Sequence, residues 1–365
     1  MKVTIESGVL GKGLHTLQNI INTRSTLPIL SNTHLEADSD HITLTGTDLE
    51  IGITTIIPAQ VHESGATTIP AKRFGDLIKE LPTQPLTITV KKNHIASIEC
   101  GTSQFKLTGI PPEEFPKLPT IIDQHPLQIP QSTFATMLAL VAFAMSHDET
   151  RYILNGVYFS AKKGHLRLVA TDGRRLAMIE RPISNTTNHP EYHAIIPTKT
   201  IHELQRLLGA EETAKVIFSG TQVKFELGAT TIVSRTIEGE FPNYEQVVPP
   251  EAHDKVKVRR EPFLLAVRRA SLWTTQDSQS VKLDVAKNHL VVSKQTPELG
   301  EAREEVEAEY QGPELAIGFN PTYLMDVLKN ISDETIELEV PGPERPGVIR
   351  TKDHYVYIVL PMQLT

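Results

Sequence analysis

The sequence states one pattern twice at a spacing of 124 residues, and this repetition limits the fold more than any local motif. Leu10, Leu14, Leu17 and Ile21 form an apolar helical stripe, and Phe134, Leu138, Val141 and Met145 form the same stripe one spacing later. LPILSN, with Leu30, precedes LTGTD, with Thr47 and Asp48; YILNGV, with Leu154, precedes LVATD, with Thr171 and Asp172. A third copy is more eroded: Val157, Phe159 and Ala161 step onto Val281, Leu283 and Val285, but the Thr-Asp pair has become Lys294–Gln295. A second motif, IPAKRFGDLIKEL from Ile69 to Leu81, returns as IPTKTIHELQRLL from Ile196 to Leu208 and as FNPTYLMDVLKNI from Phe319 to Ile331, with an acid at Asp76, Glu203 and Asp326 in turn. A period this long means duplication of whole domains, since solenoid repeats recur every 20–50 residues or so.

Each copy reads helix, strands, helix, strands. A helix near 8–22 and a second over 71–81 flank period-two runs such as THLEA and HITLTGTD, and LTITV, IASIEC and FKLTG follow. One apolar helix face beside antiparallel strands predicts an α+β fold with helices on one side of each sheet. The Pro-rich stretches LPTIIDQHPLQIP, from Leu118 to Pro130, and VVPPEAHDK, from Val247 to Lys255, read as linkers. They divide the chain into three domains, 1–122, 123–250 and 251–365, each of ordinary domain size.

With 365 residues, 39% of them apolar and 22% charged, the chain can bury several cores. MKVTIESG carries no signal-peptide stretch, and the longest apolar run, Met137 to Met145, is far short of the roughly 20 residues of a membrane span, so a cytoplasmic protein is expected. Cys100 stands alone, which excludes an intrachain disulfide and a cysteine zinc site; it reads as a buried strand thiol. A net charge of −8 argues against a nucleic-acid partner, yet cations gather on helix segments: Lys72, Arg73 and Lys79, then Lys199 and Arg206, then Arg268 and Arg269. On charge pattern alone, solvated helix faces account for these equally well.

No Walker loop, HExxH, GxSxG or paired-histidine spacing occurs despite 14 histidines, so no metal or cofactor is expected. The best enzymatic candidates are Asp48, Glu50 and Asp172, carboxylates that would hold Mg²⁺ for phosphoryl transfer. Against this, each Thr-Asp pair follows a strand, where an Asp satisfies the backbone donors of a turn, and Gly173 fits that turn.

TRSTLPILSN (Thr23 to Asn32), TGTDLE (Thr45 to Glu50), RYILNGVYF (Arg151 to Phe159), ATDGRRLA (Ala170 to Ala177), EGEFPNYEQVVP (Glu238 to Pro249) and YIVLPMQL (Tyr357 to Leu364) together resemble the bacterial replicative sliding clamp, the β subunit of DNA polymerase III, across the whole chain and in the family's order. The resemblance implies a non-enzymatic processivity factor: two chains joined head to tail as a ring of six clamp domains, helices lining the hole, and duplex DNA passing through it. It implies DNA-facing cations at Arg24, Arg73 and Lys199. It also implies a cleft between the second and third domains for short linear peptides of the replicative polymerase, the clamp loader and repair proteins. The matching cleft positions are Leu154, Thr171, Gly173, Arg174, Arg175, Leu176, Pro242, Val247, Ile358, Val359, Pro361 and Met362. The subunit contact falls on Phe105 and Leu107 of one domain and Leu272 and Trp273 of another. Gln246 and Gln363 stand where many members carry Arg, and Thr365 extends the tail, so peptide preference is expected to differ. The competing readings are the metal-dependent phosphoryl-transfer enzyme and a repeat scaffold that binds peptides without DNA.

Overall fold

The computed structural model describes residues 1–21, 26–91, 93–121, 126–183, 191–210 and 212–364. Among them are the helices α1 (Ser7–Leu17), α2 (Ala71–Glu80), α3 (Gln131–Ala142), α4 (Thr198–Leu207), α5 (Arg260–Ala270) and α6 (Pro321–Asn330). Most pair an apolar face with a polar one, while α3 is apolar nearly all round. In α2, Phe74 and Ile78 are buried while Lys72, Arg73 and Lys79 are exposed, the helical spacing placing the two sets on opposite faces. α6 starts where Asn320 Oδ1 accepts the Thr322 N–H at 2.9 Å and Pro321 supplies a first helical residue that needs no donor. α1 ends at Leu17 rather than near residue 22; a turn follows, with Ile20 N–H bonded to the Leu17 carbonyl, and Ile21 is buried from beyond the helix.

The chain forms two compact units, Met1–Phe134 with His202–Thr236, and Ala135–Ile201 with Ile237–Thr365. In the first unit, α1 packs on α2, and there are two antiparallel sheets. The five-stranded one ends at the edge strand Ser103–Thr108. The eight-stranded one runs Leu127–Pro130, Thr213–Ser219, Gln222–Leu227, Thr230–Arg235, Ile51–Pro58, His41–Thr47, Asn32–Asp38, Gly65–Pro70. In the second unit α5 packs on α6, and a twelve-stranded antiparallel sheet carries Gly156–Lys162, His165–Thr171 and Arg175–Pro182 beside the last strand, Tyr355–Val359.

The 124-residue step holds in three dimensions. Asn32–Asp38, His41–Thr47 and Ile51–Pro58 recur as Gly156–Lys162, His165–Thr171 and Arg175–Pro182. The third strand of each copy makes the sheet continuous with a strand far along the chain: Ile53 faces Ile232 in one, Leu176 faces Ile358 in the other. Alternation fills the cores, as with Ile42 and Leu44 or Leu166 and Leu168, all fully buried. Each such side chain contributes about 1.5–3 kcal/mol of burial.

One segment departs from the linker reading. Leu127–Pro130 is a strand paired with Thr213–Ser219, burying Leu127 and Ile129; it lies at the sheet edge, where a terminal Pro removes no needed donor. Cys100 is a buried strand thiol contacted by Gln84 Nε2 at 3.2 Å. Among the described residues no helix is long and apolar enough to cross a membrane.

Candidate functional site

The site is organised by a turn. Strand His165–Thr171 ends with Thr171 Oγ1 donating to the Arg175 carbonyl at 2.6 Å and accepting the Gly173 N–H at 3.0 Å. Asp172 Oδ1 accepts the N–H groups of Arg174 and Arg175 at 2.9 and 3.0 Å. Gly173 sits at φ +84°, a conformation that glycine adopts without cost. The first copy repeats the arrangement: Thr47 Oγ1 donates to the Ile51 carbonyl at 2.9 Å, and Asp48 Oδ1 accepts the N–H groups of Glu50 and Ile51 at 3.0 and 2.8 Å. Both aspartates therefore serve backbone amides, and Glu50 is an exposed turn residue. The phosphoryl-transfer reading of Asp48, Glu50 and Asp172 loses its ligands to this turn; among the described residues no group of three His, Cys, Asp or Glu side chains is placed to hold a metal ion.

The turn delivers Arg175, whose side chain is only 9% exposed. Its Nε donates to Asp172 Oδ2 at 3.1 Å, Nη1 to Asp326 Oδ2 of α6 at 2.6 Å, and Nη2 to the Phe143 carbonyl at 2.5 Å. The guanidinium also lies 4.5 Å from the centre of the Tyr323 ring and 5.5 Å from that of Phe143. Burial opposes its charge, but the hydrogen bond to Asp326 and the surrounding charges outweigh burial and raise its pKa. Beside it, Tyr357 donates to the Tyr323 carbonyl at 2.8 Å, and burial pushes its hydroxyl pKa up. One arginine thus ties α6, the end of α3 and the Thr-Asp turn together.

Next to this network lies a groove of about 420 Å³. Leu154, Thr171, Leu176 and Ile358 form its buried part, and Gly173, Arg174 and Arg175 border one side. Pro242 and Val247 border the other, with Val247 57% exposed. Three of the expected residues do not line it. Val359 is fully buried, pointing to the opposite face by strand alternation; Pro361 and Met362 run on beyond it, Met362 N–H bonding to the Gly318 carbonyl at 2.8 Å. Four unexpected residues do line it, Asn243, Tyr244, Pro346 and Leu360. Leu360 was legible as the position two beyond Ile358, continuing the strand's alternation just past its end; Pro346, in a Gly/Pro-rich loop, carried no such signal.

The wall containing Tyr244 is pinned from behind. Phe241 stacks on Tyr158 at 4.9 Å between centres, and Tyr244 packs against both rings. Arg167 donates to Tyr244 Oη at 3.2 Å, to Glu245 at 2.8 Å and to Glu180 at 2.7 Å. The groove is therefore held open by fixed side chains.

Of the expected DNA-facing cations, Arg73 on α2 and Lys199 on α4 are exposed, while Arg24 lies outside the described residues. Two helix cations have other partners: Arg206 bonds Glu203 and the carbonyls of His15 and Thr16, and Arg269 makes a two-pronged pair with Glu304 at 2.8 and 2.6 Å. Phe105 and Leu107 are half-buried on the edge strand Ser103–Thr108. Leu272 is 71% exposed in the turn after α5, and Trp273 is half-buried beside it, its carbonyl accepting from Thr296 Oγ1. The nearby strand Gly300–Glu309 pairs along one side with His289–Thr296, but on the other only through its last two residues, which leaves a second open edge among the described residues.

Sequence and fold match one family throughout. The N-terminal, central and C-terminal domain models of the DNA polymerase III beta subunit match residues 1–119, 128–243 and 245–363. The beta sliding clamp of Escherichia coli is 32% identical over the full length of both chains, and that of Chlamydia muridarum is 30% identical over all of this chain and 99% of its own. Among solved structures, the Bacillus subtilis DNA polymerase sliding clamp superposes with a TM-score of 0.96 at 30% identity, covering all of both chains. A Pseudomonas aeruginosa sliding clamp bound to griselimycin gives 0.95 at 31%, again over all of both chains. The chain belongs to the DNA polymerase III beta subunit family, the bacterial sliding clamps. Its function is that of a DNA sliding clamp and processivity factor, not of an enzyme.

Arg175→Met removes the cation from between two partly buried carboxylates and should cost the second unit about 3 kcal/mol in urea unfolding. Arg175→Lys should recover only part of this, because one ammonium cannot reproduce the guanidinium's divergent contacts.

Proposed function

We propose that the groove beside Arg175 is where this clamp takes the short linear peptides of the replicative polymerase, the clamp loader and repair proteins. The observation that carries this reading is an apolar groove of about 420 Å³, bordered by Arg174 and by the exposed Val247 and Leu360. Leu154, Leu176 and Ile358 supply apolar contact, Gly173 and Thr171 form part of the lining, and Val359 supports the wall from behind. Pro361 and Met362 continue the wall past the groove. Because Arg167 and Arg175 fix the two sides in advance, a peptide meets little ordering cost on the protein side.

Two chains join head to tail into a ring through which duplex DNA passes. The joint adds the edge strand with Phe105 and Leu107 of one chain to the open edge of Gly300–Glu309 in the other, with Leu272 and Trp273 covering it. Arg24, Arg73 and Lys199 make weak, sequence-independent contacts to phosphates, which permit sliding. The division into 1–122, 123–250 and 251–365 gives three clamp domains per chain, and the protein works on DNA in the cytoplasm.

Leu176→Ala should weaken a clamp-binding peptide about tenfold in calorimetric titration, and Met362→Ala should weaken it less, since Met362 lies past the groove. Unchanged affinity in both variants would place the partners elsewhere. For the joint, replacing Leu272 and Trp273 together by Ala should produce monomers in sedimentation at micromolar protein. A double variant that stays dimeric and merely melts earlier would assign both residues to the core.

A further inference from the structure

The first copy carries a groove at the position that the Arg175 groove occupies in the second. It measures about 360 Å³ against about 420 Å³ and is built on the same turn, Thr47–Asp48 standing for Thr171–Asp172. The lining has been rearranged without being lost. Where Leu176 provides apolar surface in the second copy, the first has Gly52, and a Cβ there would meet Leu118 Cδ2 at 2.4 Å. A leucine thus stands at this place in both grooves, from the strand in one and from the Pro116–Pro119 segment in the other. Steric closure would have been the simpler outcome of that exchange, yet the space beside Leu118 persists.

Two further observations indicate what the space is for. Leu49 holds φ +79° where its counterpart is Gly173, a backbone state that leucine rarely adopts, and its side chain is 49% exposed at the groove. Leu49 thus keeps a costly backbone conformation while holding apolar surface against the groove beside Leu118 and Val233. Lys117 and Arg235 also border the groove, both exposed, and neither forms an ion pair among the described residues. Among the described residues, Glu50 is the one carboxylate lining it.

We propose that this groove is a second docking site, for an extended peptide that places an apolar side chain against Leu49, Leu118 and Val233 and an acidic one against Lys117 and Arg235. The reading rests on the Arg175 groove being the first peptide site. Its lining differs: Leu154, Leu176, Ile358 and Leu360 line the Arg175 groove, whereas here Leu49, Leu118 and Val233 share the lining with Gln222, Ser234 and the unpaired Lys117 and Arg235, so the two grooves select different flanking residues.

The test uses the full chain with methyl-labelled leucine and a blocked tetrapeptide of two apolar residues flanked by aspartates, followed by NMR. Saturable shifts of the Leu49 and Leu118 methyls are expected, separate from those of Leu154 and Leu176. Lys117→Glu with Arg235→Glu, both at exposed positions, should weaken the Leu49 and Leu118 response by about fivefold or more and leave the other pair unchanged. Shifts confined to Leu154 and Leu176 would overturn the second site and leave the first standing. Shifts at Leu49 and Leu118 that ignore the charge reversal would overturn the recognition proposed here, and silence at Leu49 and Leu118 would overturn the second site whatever Leu154 and Leu176 do; the first site is tested separately by Leu176→Ala with a clamp-binding peptide.

Discussion

A carboxylate bonded to two backbone amides at the end of a strand is the constraint on which the second unit depends. Asp172 satisfies the N–H groups of Arg174 and Arg175 and so fixes where the next strand begins. That fixes Arg175, which reaches α6 through Asp326 and the end of α3 through the Phe143 carbonyl. The same strand then places Leu176 opposite Ile358, and the groove opens between them and the segment at Tyr244. Asp48 builds the identical turn in the first copy, but Ile51 follows it in place of an arginine. Duplication preserved the scaffold, and side chains at matching positions then diverged.

Much of this was legible in the sequence because the repeat supplied an internal control. The strands starting at Asn32, His41 and Ile51 recur at the same spacing at Gly156, His165 and Arg175 with different residues, and the repeated LTGTD and LVATD segments marked the register without any alignment. The turn role of Asp172 was readable for the same reason: Thr and Asp recurred after a strand, with Gly173 where a left-handed residue is needed. What escaped depended on contacts distant in sequence. Leu127–Pro130 looked like a linker because proline obscures a four-residue edge strand, and only pairing with Thr213–Ser219 defines it. Arg206 looked like a surface cation; its ties to Glu203 and to the end of α1 come from packing that no local window contains. Tyr244 joined the groove because Arg167, far earlier in the chain, holds its hydroxyl.

The charge balance fits a protein that must not grip its track. A net charge of −8 gives little overall attraction to phosphate, and several basic groups are already neutralised, as Arg269 is by Glu304. Retention must then come from closure of the protein around the duplex, while the groove proposed for partner peptides supplies attachment to the replication machinery. Affinity for DNA and persistence on DNA become separate properties, one set by surface charge and the other by the joints between subunits.

The most direct measurement follows clamp loaded on closed circular DNA as salt is raised and the circle is then cut. A clamp held by topology stays on the intact circle from about 0.05 M to 0.2 M salt, a range over which a protein held by 6–10 phosphate contacts would lose roughly 10³–10⁵ in affinity, and it runs off once the DNA has ends. Equal, salt-dependent loss from circular and linear DNA would contradict the account, because it would mean that charge, not enclosure, holds the protein in place.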